Sequence, residues 1–138
     1  MSIISPDDPI RLLASVPAVT VEPHSTLADL AVRLEDEQIG AVAVSAGDHL
    51  EGVVTERDLV RAIAGRSDPA DTWAADVMAE DPVTIDGDEP IIVAAELMLD
   101  THVRHLVIVG DGEMLGVVSI RDVLDVLTRT WRRTADPT

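Results

Sequence analysis

The chain has 138 residues, 46% of them hydrophobic, with two Trp and no Phe or Tyr, so its core must be built from Val, Leu, Ile, Ala and Met. Twenty-six acids face ten bases, every base an Arg, for a net charge of −16; that balance disfavours nucleic acid, whose binding rests on cations neutralising phosphate, and it disfavours anionic membranes. There is no Cys, no run near the roughly 18 apolar residues of a membrane span and no basic-then-apolar leader, so the expectation is a cytoplasmic chain without disulfide or thiolate chemistry.

In chain order, a short helix is expected over Ile10–Ser15, with Ile10 and Leu13 inward. Residues 18–22 (AVTVE) read as extended. Leu27, Leu30, Ala31 and Leu34 then recur with the spacing of one buried helix face, and Ser25 or Thr26 can cap that helix. Residues 39–45 (IGAVAVS) form a strand, AGDH at 46–49 a turn, and a second strand runs to Val54. A helix follows from near Thr55 to near Gly65. The polar run GRSDPADT at 65–72 is a connector. A second short helix, Trp73–Ala79 with Val77 inward, leads to an extended stretch at 82–86 (PVTID). Ile91, Ala94, Ala95 and Met98 mark the next helix, with Pro90 suited to its first position. A strand at 103–109 (VRHLVIV), a turn at 110–113 (GDGE), a strand to Val118 and a helix from near Ser119 to near Arg133 complete the pattern. Residues 134–138 read as a frayed tail.

The second half repeats the first. Adding 64 to a position in one half reaches its counterpart without gaps: Val19-Thr20 becomes Val83-Thr84, Asp36 becomes Asp100, and Gly52, Arg57 and Asp58 become Gly116, Arg121 and Asp122. Each copy reads β-α-β-β-α, an α/β (α+β) fold class. Two copies are too few for a solenoid, and neither holds a core large enough to stand securely alone; a pseudo-two-fold pair forming one module is expected. The division is 10–66 for the first repeat, 67–73 for a linker and 74–130 for the second, with 1–9 and 131–138 as tails.

Both copies carry one phrase at the passage from strand to helix, GVVTERDLV at 52–60 and GVVSIRDVL at 116–124. Thr55 followed by Asp58, and Ser119 followed by Asp122, have the spacing of a capping box. The hydroxyl satisfies an orphan amide and the acid suits the positive end of the helix dipole. Arg104 and His105 are a basic pair at a strand start. The first copy has Gly40 and Ala41 at the matching positions. His102 and His105, three apart beside Asp100, sit where a helix end and a strand start send side chains in different directions, which argues against a metal site. No nucleophile elbow, Gly-rich phosphate loop or zinc-protease pattern is present.

The order, spacing and duplication of AVTVEPHSTLADLAVRLEDEQIGAVAVSAGDHLEGVVTERDLV and DPVTIDGDEPIIVAAELMLDTHVRHLVIVGDGEMLGVVSIRDVL resemble a tandem pair of cystathionine-β-synthase (CBS) domains, a Bateman module, over roughly residues 10–130. DVMAEDPVT at 76–84 is similar to the usual lead-in to a second copy. The resemblance implies a non-catalytic regulatory protein that binds an adenine-containing ligand (AMP, ADP, ATP, with or without Mg2+, or S-adenosylmethionine) in clefts between the copies. No other cofactor is implied.

It also implies residue roles. Asp122 and Asp58, with Ser119 and Thr55, would hold the ribose, since a carboxylate can accept from both hydroxyls of a diol; this adds to the capping role. Arg104 and His105 would face phosphate, and Arg suits that task by planar, charge-assisted donation. Arg121, like Arg57, could face phosphate or lie on the surface. The adenine slot would be walled by Thr20, Val21, Thr84 and Ile85, with Ile39, Val42, Val103 and Ile120 nearby. The two sites are expected to be unequal, the second copy supplying the better phosphate site. A homodimer is implied, with Val60, Ile63, Leu124 and Leu127 suited either to its surface or to the internal core, and an effector protein would read the ligand state. The competing reading is a ligand-independent interaction or dimerisation module acting as a regulatory subunit.

Overall fold

The computed structural model describes residues 3–14 and 19–135, Ala135 by its backbone alone. Ser15 of the first expected helix, Ala18 of the first extended stretch and residues 136–138 of the expected tail lie outside these. The chain divides into two compact units, Ala18–Pro82 and a second that joins Met1–Pro17 to Val83–Thr138.

The 18–82 unit contains β1 (Thr20–Val21), α1 (Leu27–Glu37), β2 (Ala41–Ala46), β3 (His49–Thr55), α2 (Glu56–Ala64) and the short α3 (Ala74–Val77). Its sheet runs β1-β2-β3, with β1 parallel and β3 antiparallel to β2. The other unit repeats this with β4 (Thr84–Asp86), α4 (Ile91–Thr101), β5 (His105–Gly110), β6 (Glu113–Ser119) and α5 (Ile120–Ala135), preceded by a 3-10 helix at Ile10–Leu13. Even the irregularities repeat: a register shift falls between Val44 and Ser45 in one sheet and between Ile108 and Val109 in the other. The fold is mixed α/β, two β-α-β-β-α copies as the duplication implies.

Each helix follows from its local sequence. Thr26 caps α1, its hydroxyl accepting from the Asp29 amide at 3.1 Å, and Leu27, Leu30 and Leu34 are buried. Ala31, expected on that face, is exposed; the buried stripe is narrower than the spacing suggested. Pro90 is the N-cap of α4 rather than its first helical residue. Both helices end in the left-handed region, at Gln38 (φ 54°) and His102 (φ 58°). Such an ending turns the chain sharply, so β2 and β5 begin at Ala41 and His105 rather than at 39 and 103. The hairpin after β2 turns at Gly47 (φ 61°), and the one after β5 needs positive φ at both Asp111 (52°) and Gly112 (78°), which matches the Asp-Gly signal.

The two lead-in segments are exchanged. Ile10 is completely buried in the core of the unit that holds the second copy, against residues that include Ile85, Ile91 and Met98. Its amide donates to the Glu89 carbonyl at 2.8 Å, and the Ile91 amide donates to the Asp8 carbonyl at 2.9 Å. At the positions 64 away, the Ala74 amide donates to Ser25 at 2.8 Å and the Leu27 amide to Thr72 at 3.0 Å. Residues 5–9, expected as a tail, therefore satisfy the first amides of α4, which every helix start leaves unpaired. At the other end, α5 runs to Ala135, past the expected end near Arg133 and through residues expected as tail.

Candidate functional site: the strand-to-helix turn

In each unit the phrase shared by the two copies sits where the last strand becomes the last helix. Thr55 is the N-cap of α2. Its amide and its hydroxyl both donate to Asp58 Oδ2, at 2.8 and 3.0 Å, and its hydroxyl accepts from the Asp58 amide at 3.3 Å. Ser119 and Asp122 repeat the arrangement at 3.3, 3.0 and 3.3 Å. Both turns are capping boxes. In both, the cap engages one carboxylate oxygen twice, and no hydrogen bond among the described residues reaches Oδ1. Asp58 is half-buried and Asp122 exposed.

Two backbone contacts fix what stands beside each turn. Ala41 pairs with Thr55 and His105 with Ser119 across the hairpins. The Glu56 amide donates to the Gly40 carbonyl at 2.9 Å, and the Ile120 amide to the Arg104 carbonyl at 2.7 Å. Thus Arg104 and His105 stand next to Ser119 and Ile120, whereas Gly40 and Ala41 occupy the same places in the other unit. Arg104 is exposed and His105 half-buried. Arg57 and Arg121 are exposed, and among the described residues neither they nor Arg104 forms an ion pair.

The residues expected to wall an adenine slot divide by burial. Val42 and Ile85 belong to the cores of their units, so their side chains are committed to packing. Val21 and Ile39 pack on the edge of one core, and Val103 and Ile120 on the edge of the other. Thr20 and Thr84 are exposed, on the first strand of each sheet. Each unit therefore offers a half-apolar margin with an exposed hydroxyl.

The structure adds two features. A groove of about 290 Å³ runs beside β1 and α1, lined by residues that include Glu22, Asp29, Val32 and Asp36 together with Thr20 and Val21, two of the residues expected to wall an adenine slot. Asp29 and Asp36 stand seven apart on α1, a spacing that puts both on one face, but only the place of β1 at the sheet edge shows that this face borders a groove. The second is the purpose of Gly52. A Cβ there would lie 2.4 Å from the carbonyl oxygen of Ala79, because Ala79 and Val53 exchange two backbone hydrogen bonds, at 3.1 and 2.9 Å. In the first copy the glycine of the repeated phrase, Gly52, admits the exchanged lead-in segment.

The family model for the CBS domain matches residues 10–65 and again 74–129. An uncharacterised protein of Methanopyrus kandleri is 33% identical over 111 residues, 78% of this chain and 57% of that protein. An uncharacterised 17.7 kDa protein of Acidianus ambivalens is 30% identical over 133 residues, covering 92% of this chain and 80% of its own length. This chain thus spans little more than half of one relative and most of the other. Among solved structures, a CBS domain protein from Pyrobaculum aerophilum complexed with AMP is 31% identical, with a TM-score of 0.76 over 87% of this chain and 98% of that one.

Proposed function

The chain belongs to the CBS domain family, and on that premise we propose that it is a regulatory, non-enzymatic protein that binds an adenine-containing ligand and passes binding on as a conformational or assembly change. AMP is the first choice, because the Pyrobaculum relative was solved with AMP bound; ADP, ATP with or without Mg2+ and S-adenosylmethionine follow. The observation that carries the reading is the paired Thr55–Asp58 and Ser119–Asp122 turn, in which the cap leaves one carboxylate oxygen open. That oxygen can accept from a ribose hydroxyl without unmaking the cap. Ser119 and Thr55 would assist it.

Arg104, His105 and Arg121 would hold phosphate. The base would lie against the apolar margins at Thr20, Val21 and Ile39 and at Thr84, Val103 and Ile120, with Val42 and Ile85 supporting from the core. The sites are unequal, since the basic pair adjoins the turn in one unit only.

A homodimer, an effector protein and a cytoplasmic location complete the proposal. Val60 on α2 is 66% exposed, Ile63 61% and Leu124 on α5 51%; exposed apolar rows of this kind mark protein contacts. Leu127, expected either on such a surface or in the core, packs against the core. No described helix is long and apolar enough to cross a membrane. A thermal-shift panel of AMP, ADP, ATP, S-adenosylmethionine and GTP tests the proposal. Stabilisation confined to adenine ligands supports it. A folded protein indifferent to all of them refutes it in favour of a ligand-independent interaction module.

A further inference from the structure

Helix α2 has nine residues and α5 has sixteen. Under the 64-residue offset α2 corresponds to 120–128, so the last seven residues of α5, RTWRRTA at 129–135, match the polar connector at 65–71 and have no helical counterpart in the first copy. The second CBS match also ends at residue 129. These seven residues hold three of the ten Arg and no acid. Arg129 pairs with Asp125 at 2.9 Å, whereas Arg132 and Arg133 are exposed and make no ion pair among the described residues. Trp131 is 69% exposed, and the last residue of α5 packed on the core is Leu127. Cations in the final turn suit the helix dipole. That accounts for the Arg residues and leaves the indole unexplained: an exposed Trp flanked by Arg has the composition of an interface hot spot.

The groove beside β1 and α1 has the opposite character. Val21 and Val32 give it an apolar floor, with Val32 59% exposed. Glu22, Asp29 and Asp36 surround it, and Arg33, the cation beside them, lies 3.6 Å from Glu37. Its volume of about 290 Å³ is near the lower end of small-ligand pockets, about 300 Å³, a scale that admits one aromatic side chain.

We propose that the Trp131-Arg132-Arg133 end of α5 docks into the β1–α1 groove of a second copy of this chain, the indole on Val32 and the guanidinium groups on Glu22, Asp29 and Asp36. A second copy is favoured over a nucleic acid or an anionic membrane because the chain itself carries an acidic groove, at Glu22, Asp29 and Asp36, that complements the two guanidinium groups. The contact joins two different patches. Each chain carries one donor and one acceptor, so the contact can close a reciprocal pair or extend into a ring or an open string. It adds to any dimer formed through α2 and α5.

The test is sedimentation velocity over a concentration series at low and high salt, with circular dichroism to confirm folding. The expected result is a wild-type average mass that climbs with concentration, with the climb suppressed by salt because the ion pairs are exposed. Trp131→Ala, and separately the double variant Asp29→Arg with Asp36→Arg, should move the climb to a concentration on the order of tenfold higher or abolish it. Mixing these two variants should restore a contact that neither makes alone, since one retains the groove and the other the helix end, and it should stop at one added contact. Masses unchanged by either variant, or variants that fail to complement, overturn the proposal. Wild-type binding to phosphatidylserine vesicles or duplex DNA that Trp131→Ala removes, without any self-association, assigns the helix end to that surface and overturns it as well.

Discussion

The amide of Ile120 donates to the carbonyl of Arg104 at 2.7 Å. This bond ties the basic pair, Arg104 on the link between α4 and β5 and His105 at the start of β5, to the first turn of α5, where Ser119 and Asp122 close their cap. The bond from Glu56 to Gly40 makes the same tie in the other unit, at 2.9 Å, with no cation to present. The difference between the two candidate sites thus lies in side chains laid on one shared backbone.

Arg104 should therefore separate phosphate binding from stability. Its side chain is exposed and forms no ion pair among the described residues, so Arg104→Ala should change folding stability by no more than about 0.5 kcal/mol. Calorimetric titration should show AMP weakened much more than adenosine. Equal weakening of both would remove Arg104 from the phosphate site.

The cap should be a stability element in its own right. Thr55→Ala removes the hydroxyl that accepts from Asp58 and donates to it, at 3.3 and 3.0 Å, and should cost about 1 kcal/mol, or roughly 3–4 °C in melting temperature for a chain of this size. Thr55→Ser should recover most of it. A melting curve for Thr55→Ala that overlays the wild type would show that the cap contributes nothing.

Ile10 tests the exchange of lead-in segments. It is fully buried, and Ile10→Ala should cost about 2–5 kcal/mol, the range for large-to-small changes in a core. Urea unfolding measures this directly. A loss within about 0.5 kcal/mol would mean that the segment lies free of the core in solution.

Gly52 tests the same exchange from the other lead-in segment. The Cβ of Gly52→Ala would meet backbone, the Ala79 oxygen at 2.4 Å, which cannot rotate away. The expected cost is about 1–3 kcal/mol, the penalty for overfilling a packed site. A tolerated alanine would show that the Val53–Ala79 pairing opens readily.

Much of this was legible in the sequence because it is local. The 64-residue offset, the leucine spacing of α1, the Asp-Gly turn and both capping boxes are carried by residues a few positions apart. The exchange of lead-in segments was not. Nothing within 10–15 or 73–79 says which copy buries Ile10 or Ala74, since apolar spacing gives a face and not its partner. The late starts of β2 and β5 were hidden because the left-handed helix ends fall on Gln38 and His102 rather than on glycine, the usual mark of such a position. The length of α5 was hidden because its apolar spacing fades after Leu127 while the helix continues as an exposed, Arg-rich extension. At the candidate site, the residue types were readable, but which oxygen of Asp58 and Asp122 stays open depends on hydrogen bonds that only the folded turn sets.

That open oxygen gives the most direct test of the central claim. Asn is a good N-terminal helix residue and keeps one acceptor, but it loses the carboxylate charge and presents an amide donor in place of one oxygen. Calorimetric titration of AMP into the wild type, Asp122→Asn and Asp58→Asn reads ligand binding apart from folding. The account predicts saturable AMP binding to the wild type, lost or weakened on the order of tenfold or more in Asp122→Asn, with the fold retained by circular dichroism. AMP binding unaltered by either substitution, or no binding to folded wild-type protein, would contradict it.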